Sequence, residues 1–284
     1  MDLIGHCAVA LASGLHDETE VFEGGLPEMM LPNIMHCHDW AYSTVWELDR
    51  FPDPLRDSAR RIRSHIVADW VIHYGAETTR TKRKCGWAYR RMGFVNRRAV
   101  RFFDEADFLG LLNSDAVHPD RWNKKRRLDF AHSIIEYAAD FLIAPDFMSP
   151  SCFRSVKREL AALDRGAPGD ARARLQRLFS SLGAWSDVGA DGLERSLDGM
   201  AYDAATAETP EDFAVLTTIR KYGFNDGRAS RAYVRGFLDA AARELDQDEV
   251  SSLVERLSRL AADPDAIYDG PLGAEPVPAF AGAA

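Results

Sequence analysis

Two stretches of this chain carry histidines and carboxylates at a repeated spacing of four residues. The first, RIRSHIVADWVIHYG at 61–75, contains His65, Asp69 and His73. On an α-helix these side chains share one face, and the apolar residues between them predict that this face is buried or half-buried. Buried imidazoles and carboxylates need partners, because an unpartnered polar group is costly in apolar surroundings. A divalent metal ion is the partner that satisfies all three.

The second stretch, LDFAHSIIEYAADFLI at 128–143, repeats the arrangement with His132, Glu136 and Asp140. All eight histidines of the chain lie within its first 132 residues. Scattered structural histidines would not be expected to segregate in this way, whereas a polynuclear metal site built by the N-terminal half predicts it. For Asp140 two interpretations stay open: a carboxylate that orients a ligand histidine, or a solvent-facing acid.

Composition is that of a globular protein with a substantial core. The 284 residues carry a formal net charge of -9 and are 46% hydrophobic, enough for one sizeable core. No apolar run approaches the roughly 20 residues that cross a bilayer, and the acidic start of the chain indicates a first helix and not a signal peptide. The four cysteines show no CxxC spacing, so we expect a cytoplasmic protein.

Helical periodicity and capping signals predict an all-α fold, a helical bundle with the metal site in its N-terminal half. The helices expected there cover 3–14, 34–50, a segment starting at Asp53, and a segment carrying His132 that ends near Pro145. The helices expected in the second half lie near 152–164, 170–183, 209–222, 227–245 and 247–262.

The chain is expected to divide into three parts. A metal-binding catalytic domain covers 1–148, a helical C-terminal region packed on it covers 149–264, and a disordered tail covers 265–284. The C-terminal helices would either cover the site or form a homo-oligomer.

The candidate metal ligands number about eight, more than one ion uses, so two or three ions are expected. They are His6, Glu28 or a neighbouring acid, His36 or His38, His65, Asp69, His73, His132 and Glu136. His36 and His38 lie two residues apart on different faces of a helix, so one of them is expected to bind. Imidazole and carboxylate ligands suit zinc, iron or manganese. Clustered ions of this kind generate a hydroxide and hold both oxygens of a phosphoester displacement.

A basic stretch at 80–101 holds nine Lys or Arg and no acid. It predicts either an anion-binding loop beside the metal ions or a solvated surface, and both interpretations stay open. In the first interpretation, the anion-binding loop, phosphate is held by Arg90, Arg91, Arg97 and Arg98. The aromatic residues between them would allow nucleic-acid bases to stack, but a small phosphorylated substrate is the favoured partner.

The order of these motifs resembles the zinc-dependent phospholipase C and single-strand nuclease superfamily over about residues 3–140. The resemblance is carried by His6 in GHCAVALASG, Glu28 in LPEMMLPN, His36 and His38 in HCHDW, His65 and Asp69 in SHIVADWVIH, and His132 and Glu136 in AHSIIE. It implies one ion on the first carboxylate, the middle histidine and the HxxxD pair, and a second on the next histidine and the HxxxE pair. Asp69 would bridge to a third ion held by His6 and the N-terminal amine. His73 departs from the family pattern, because it follows Asp69 by only four residues.

The function expected from the sequence is hydrolysis of a soluble phosphomonoester or phosphodiester. A water between two ions would attack phosphorus, with Asp69 as the bridging ligand and Glu28 as a base or ligand. Three alternatives stay open: a helical non-haem iron or di-iron oxygenase, a non-catalytic helical module that binds metal or a partner, and a buried polar network without metal.

Overall fold

The computed structural model describes residues 3–14, 48–51, 53–74, 86–93, 95, 110–113, 124–163, 173 and 190–263. Within these ranges the chain is helical and has no β-strand, although one isolated bridge pairs Leu112 with Phe224. The all-α prediction is therefore confirmed for this part of the chain. The predicted site residues outside the described ranges are Glu28, His36, His38, Arg97 and Arg98.

Eight α-helices fall within the described residues. They are α1 (Leu3–Ala12), α2 (Asp53–Asp69), α3 (Lys124–Phe147), α4 (Pro150–Ala161), α5 (Ala190–Thr206), α6 (Pro210–Tyr222), α7 (Arg228–Ala242) and α8 (Gln247–Ala262). A 3₁₀ turn at Leu48–Arg50 precedes α2, a π-helical turn at Trp70–Tyr74 extends it, and a short helical segment covers 87–93. None of the described helices combines the length and the apolar character needed to cross a membrane.

Local sequence signals explain two of the helix starts in the second half. The hydroxyl of Ser149 accepts a backbone N–H from the first turn of α4, and Pro150 occupies that turn. Thr209 caps the start of α6 in the same way, with Pro210 in the first turn. The residue after the helix, Gly223, adopts the left-handed conformation with φ of 78° and caps its end. These caps confirm the helices that the sequence predicts at both places.

Two helix boundaries differ from the sequence prediction. Helix α5, at Ala190–Thr206, lies between the helices that the sequence predicts near 170–183 and 209–222 and is an addition to the predicted set. Its glycines weaken local helix propensity, and packing against α4 and α6 overrides that preference. Helix α3 continues two residues beyond Pro145 to Phe147, because a proline in the last turn removes only one backbone hydrogen bond.

Helix α1 is enclosed by the bundle. Every residue from Leu3 to Ala10 is buried, which is typical of a helix with neighbours on all sides. It packs against α2, α3 and α8, and α3 also contacts α6, α7 and α8. The last described helix therefore lies against the helices that carry His6, His65 and His132.

Tyr222 anchors α3 to α6 next to His132. Its hydroxyl oxygen lies 2.7 Å from Ser133 Oγ, and Lys221 Nζ donates to the same serine oxygen at 3.0 Å. Burial raises the pKa of Tyr222 to about 12, so the phenol stays protonated at neutral pH. These contacts fix the rotation of α3 and, with it, the face that carries His132 and Glu136.

Candidate metal centre

A first cluster, here called the inner cluster, joins α1 to α2 and consists of His6, His65 and Asp69. His6 Nε2 lies 3.3 Å from Asp69 Oδ1, and His65 Nε2 lies 3.5 Å from Asp69 Oδ2. The two imidazole centroids are 4.0 Å apart. The exposed fractions of the three residues are 0%, 0% and 1%. One ligand atom from each residue lies within 4.8 Å of the others, so the cluster could hold a metal ion.

The spacings in the inner cluster resemble those around a tetrahedral ion. Zinc holds nitrogen and oxygen ligands at about 2.0–2.2 Å, so neighbouring ligand atoms lie roughly 3.3–3.6 Å apart. A direct N–H···O hydrogen bond is typically shorter, about 2.9–3.0 Å. The two histidine–carboxylate distances fall within this range, and the ligand atoms of all three side chains lie within 4.8 Å of one another.

A second cluster, here called the outer cluster, joins the π turn to α3 and consists of His73, His132 and Glu136. His73 Nε2 is hydrogen-bonded to Glu136 Oε1 at 2.7 Å, and His132 Nε2 lies 3.1 Å from the same oxygen. These ligand atoms also lie close enough together to hold one ion. With exposed fractions of 6% for His73 and 9% for His132, this cluster comes closer to the surface than the inner one.

Asp69 connects the two clusters through His73. His73 Nδ1 lies 3.7 Å from Asp69 Oδ1, the same oxygen that faces His6. The other nitrogen of His73 faces Glu136. A carboxylate near the second nitrogen is the usual surrounding of a metal-binding histidine, because it sets the orientation of the ring. The imidazole of His73 thus lies between the carboxylates of the two clusters.

The π turn sets the direction of His73. In a continuous α-helix, His65, Asp69 and His73 would form a single row along one face. Helix α2 instead ends at Asp69, and Trp70–Tyr74 adopt the wider π geometry, which is frequent at functional sites. From this turn, His73 keeps its Nδ1 within 3.7 Å of Asp69 Oδ1 while its Nε2 reaches Glu136 Oε1 on α3. Gly86 holds the turn from outside, since its N–H donates to the His73 carbonyl at 2.8 Å.

Tyr89, on the 87–93 segment, covers one side of the outer cluster. Its ring stacks on His132 with centroids 4.6 Å apart and 20° between the planes. It also meets the His73 ring edge-on at 6.1 Å. Tyr89 is half-buried, so the outer cluster approaches solvent beside it. Part of the basic, aromatic stretch therefore does contact the cluster, as the sequence suggests.

Two of the arginines predicted to bind phosphate are described. Arg90 is exposed. The guanidinium of Arg91 contacts the carboxylate of Glu249 on α8, and this carboxylate also accepts the indole N–H of Trp87 at 3.0 Å. The Arg91 guanidinium is therefore already paired with a carboxylate of the same chain. Phosphate binding by these arginines stays a prediction.

The protonation states of the clusters favour metal binding. Burial, together with the neighbouring His65, lowers the pKa of His6 to about 3. Burial also lowers the pKa of His132. For Glu136, burial acts to raise the pKa, but His132 and His73 outweigh it and hold the pKa well below its usual range. Neutral imidazoles and ionised carboxylates are the forms that bind metal ions.

At several positions near the clusters, the structure settles or extends what the sequence predicts. Asp140 is buried, which excludes a solvent-facing role. Cys7 is buried in the hydrophobic core. Sequence reasoning did not assign Tyr89 or Gly86 to the centre. The aromatic residues within the basic stretch were a signal for Tyr89. No local sequence pattern predicts the hydrogen bond from Gly86 to the His73 carbonyl.

Comparison with known proteins identifies no relative. No protein-family model, no curated protein and no solved structure matches this chain. The resemblance to the zinc-dependent phospholipase C and nuclease superfamily therefore stays a prediction, and it depends on the motifs themselves.

Replacing Tyr89 with alanine is expected to weaken zinc binding at the outer cluster about two- to tenfold. An aromatic stack contributes about 0.5–1.5 kcal/mol, here by holding His132 in place. Tyr89→Phe keeps the ring and should bind zinc as the unaltered protein does. Competition with a chromophoric chelator measures the dissociation constants, and equal values for all three proteins would show that the stack does not position His132.

Proposed function

We propose that this protein is a metal-dependent hydrolase of a soluble phosphomonoester or phosphodiester. The observation that carries the proposal is the pair of His–His–carboxylate clusters linked through Asp69 and His73. Divalent ions bound there would supply an activated water near neutral pH and charge stabilisation for phosphoryl transfer. Zinc is the favoured ion, and iron or manganese suits the same ligands. The third ion and the roles of Glu28 and of His36 or His38 belong to this proposal through the family resemblance alone.

The two clusters support different tasks. The inner cluster is sealed in the core, so its side chains would hold α1 against α2 around an ion. The outer cluster approaches the surface beside Tyr89, so His73, His132 and Glu136 are the cluster residues that a substrate reaches most directly. The contact between Asp69 and His73 would orient the His73 ring, leaving its other nitrogen for the outer ion.

The surroundings of the outer cluster suit an anionic substrate. Arg90, the chain neighbour of Tyr89, contributes positive charge there, and positive charge raises the local concentration of anions. Arg90 is exposed in this segment and is the described arginine best placed to meet a phosphate from solution. A small phosphorylated molecule remains favoured over nucleic acid as the partner.

A helical non-haem iron oxygenase is the second candidate. The observation that favours it is the composition of each cluster, two histidines and one carboxylate, which is the ligand set of many Fe(II) oxygenases. The basic neighbourhood favours hydrolysis of a phosphoester over this alternative. The identity of the bound metal separates the two.

Elemental analysis and phosphoesterase assays test the proposal together. We expect two or more zinc ions per chain and hydrolysis of p-nitrophenyl phosphate or bis(p-nitrophenyl) phosphate, abolished by a chelator and restored by zinc. Asp69→Asn should lose zinc and activity, whereas the exposed Asp263→Asn should lose neither. Bound iron with an oxo-bridge absorption would favour the oxygenase. Zinc without any phosphoesterase activity would favour a non-catalytic module, and a protein that takes up no metal would contradict the proposal.

A further inference from the structure

Glu249 lies in the first turn of α8, far along the chain from the residues of either cluster. Asp246 is the N-cap of this helix, and its carboxylate accepts the backbone N–H of Glu249. Glutamate three residues after an N-cap usually completes a capping box by returning its side chain to the N-cap backbone. Among the contacts of the described residues, Glu249 makes no such return. Its carboxylate is directed at Trp87 and Arg91 instead.

One carboxylate holds the 86–93 segment at two points. Glu249 Oε1 accepts the indole N–H of Trp87 at 3.0 Å and a guanidinium N–H of Arg91. Trp87 and Arg91 are four residues apart, so they lie on the same face of the helical segment, one turn from each other. Trp87 is buried, which fixes the position of the segment as well as its rotation.

The same segment meets the outer cluster at two further points. Gly86 donates its N–H to the carbonyl of His73 at 2.8 Å. Tyr89 stacks on His132 with centroids 4.6 Å apart. Because Gly86 to Arg91 span only about one and a half helical turns, a displacement at the contacts with α8 would reach the groups that touch the His73 carbonyl and the His132 ring.

We infer that Glu249 is a positioning residue for the outer cluster. Its carboxylate fixes the 86–93 segment, and that segment contacts the backbone of His73 and the ring of His132. The inference rests on the proposed function for the catalytic importance of the outer cluster, while the contacts themselves apply to any ion bound there. The coupling follows a continuous series of packed and hydrogen-bonded groups from α8 to His132.

Glu249→Ala is expected to raise the dissociation constant of the outer ion about three- to thirtyfold, the range typical of residues that act through a contact network. Glu249→Gln keeps an oxygen that accepts the indole N–H of Trp87, so it should retain most of the affinity. Glu255→Ala is the matched control, because Glu255 is an exposed glutamate of the same helix.

Zinc titration of the four proteins, together with the count of tightly held zinc and the thermal midpoint, tests the inference. We expect Glu249→Ala to weaken the binding of the outer ion only, with the thermal midpoint nearly unchanged. Glu255→Ala should be identical to the unaltered protein. An unchanged dissociation constant in Glu249→Ala would overturn the inference. An equal rise in the dissociation constants of both ions, together with a large fall in thermal midpoint, would also overturn it, because that result indicates general destabilisation.

A measurement without metal separates this inference from the proposed function. In chelator-treated protein, the His132 ring-proton resonance, assigned with His132→Gln, should shift in Glu249→Ala and stay in place in Glu255→Ala. If it shifts and zinc affinity falls while no phosphoester is hydrolysed, the proposed function is wrong and the inference holds. If it stays in place while the protein hydrolyses phosphoesters, the inference is wrong and the proposed function holds.

Discussion

Replacing Gly86 with alanine is expected to destabilise the protein by about 2–3 kcal/mol and to weaken zinc binding at the outer cluster at least about tenfold. A Cβ at this position would lie 2.1 Å from the Ile72 carbonyl oxygen and 2.6 Å from the His73 carbonyl carbon. These are backbone atoms, so either the π turn or the 86–93 segment must move. Either movement disturbs the hydrogen bond from Gly86 to His73 and displaces the imidazole.

Gly236→Ala is the matched control for this substitution. Gly236 lies within α7, and a Cβ there would meet no atom within 4 Å. Alanine should therefore leave stability unchanged or raise it by about 0.5–1 kcal/mol, because it lowers the entropy lost on folding. Urea unfolding and zinc titration give both quantities. Normal stability and normal zinc affinity in Gly86→Ala would show that this close approach is not needed.

Replacing Glu136 with glutamine is expected to lower the zinc affinity of the outer cluster about a hundredfold or more, and, under the proposed function, phosphoesterase activity with it. Its Oε1 atom faces two imidazole nitrogens, at 2.7 Å and 3.1 Å. Changing a group that only orients a metal ligand already costs about 10–100-fold in affinity, so loss of a ligand charge should cost at least the upper end. Glutamine has nearly the same shape, so core packing around α3 should change little.

The inner cluster and an exposed acid of the same helix provide the controls for Glu136→Gln. The inner ion should remain bound, because His6, His65 and Asp69 are unaltered. Asp129→Asn, on the same helix with an exposed carboxylate, should leave zinc affinity and activity unchanged. Zinc counted before and after brief chelation distinguishes the two ions. Simultaneous loss of both ions would mean that the clusters act as one inseparable site, and unchanged binding would remove Glu136 from it.

The C-terminal half contributes to the surroundings of the metal centre. Helix α8 packs against α1, α2 and α3, and Glu249 on that helix holds the segment that touches the outer cluster. A variant in α8 can therefore affect the N-terminal ligands through packing alone. The division into parts at 148 and 264, the homo-oligomer and the cytoplasmic location stay predictions.

The sequence by itself determined the ligand pairs. A spacing of four residues brings two side chains together on any α-helix, and His65 with Asp69 and His132 with Glu136 lie 3.5 Å and 3.1 Å apart. The apolar residues between them also predicted their burial correctly, because a helix face that is mostly apolar packs into the core. These properties depend on a few neighbouring residues, so local sequence is enough to predict them.

Only the tertiary structure decided how the pairs combine. His6 joins the first pair because α1 packs against α2. His73 joins the second because, from the π turn, its Nε2 reaches Glu136 Oε1 on α3. The π turn is stabilised from outside by Gly86, which is distant along the chain from Asp69. Helix crossings and such turns depend on contacts between remote residues, and no spacing within either motif encodes them. The repeated four-residue spacing therefore predicted which candidate ligands lie side by side, while packing divided them into an inner and an outer cluster.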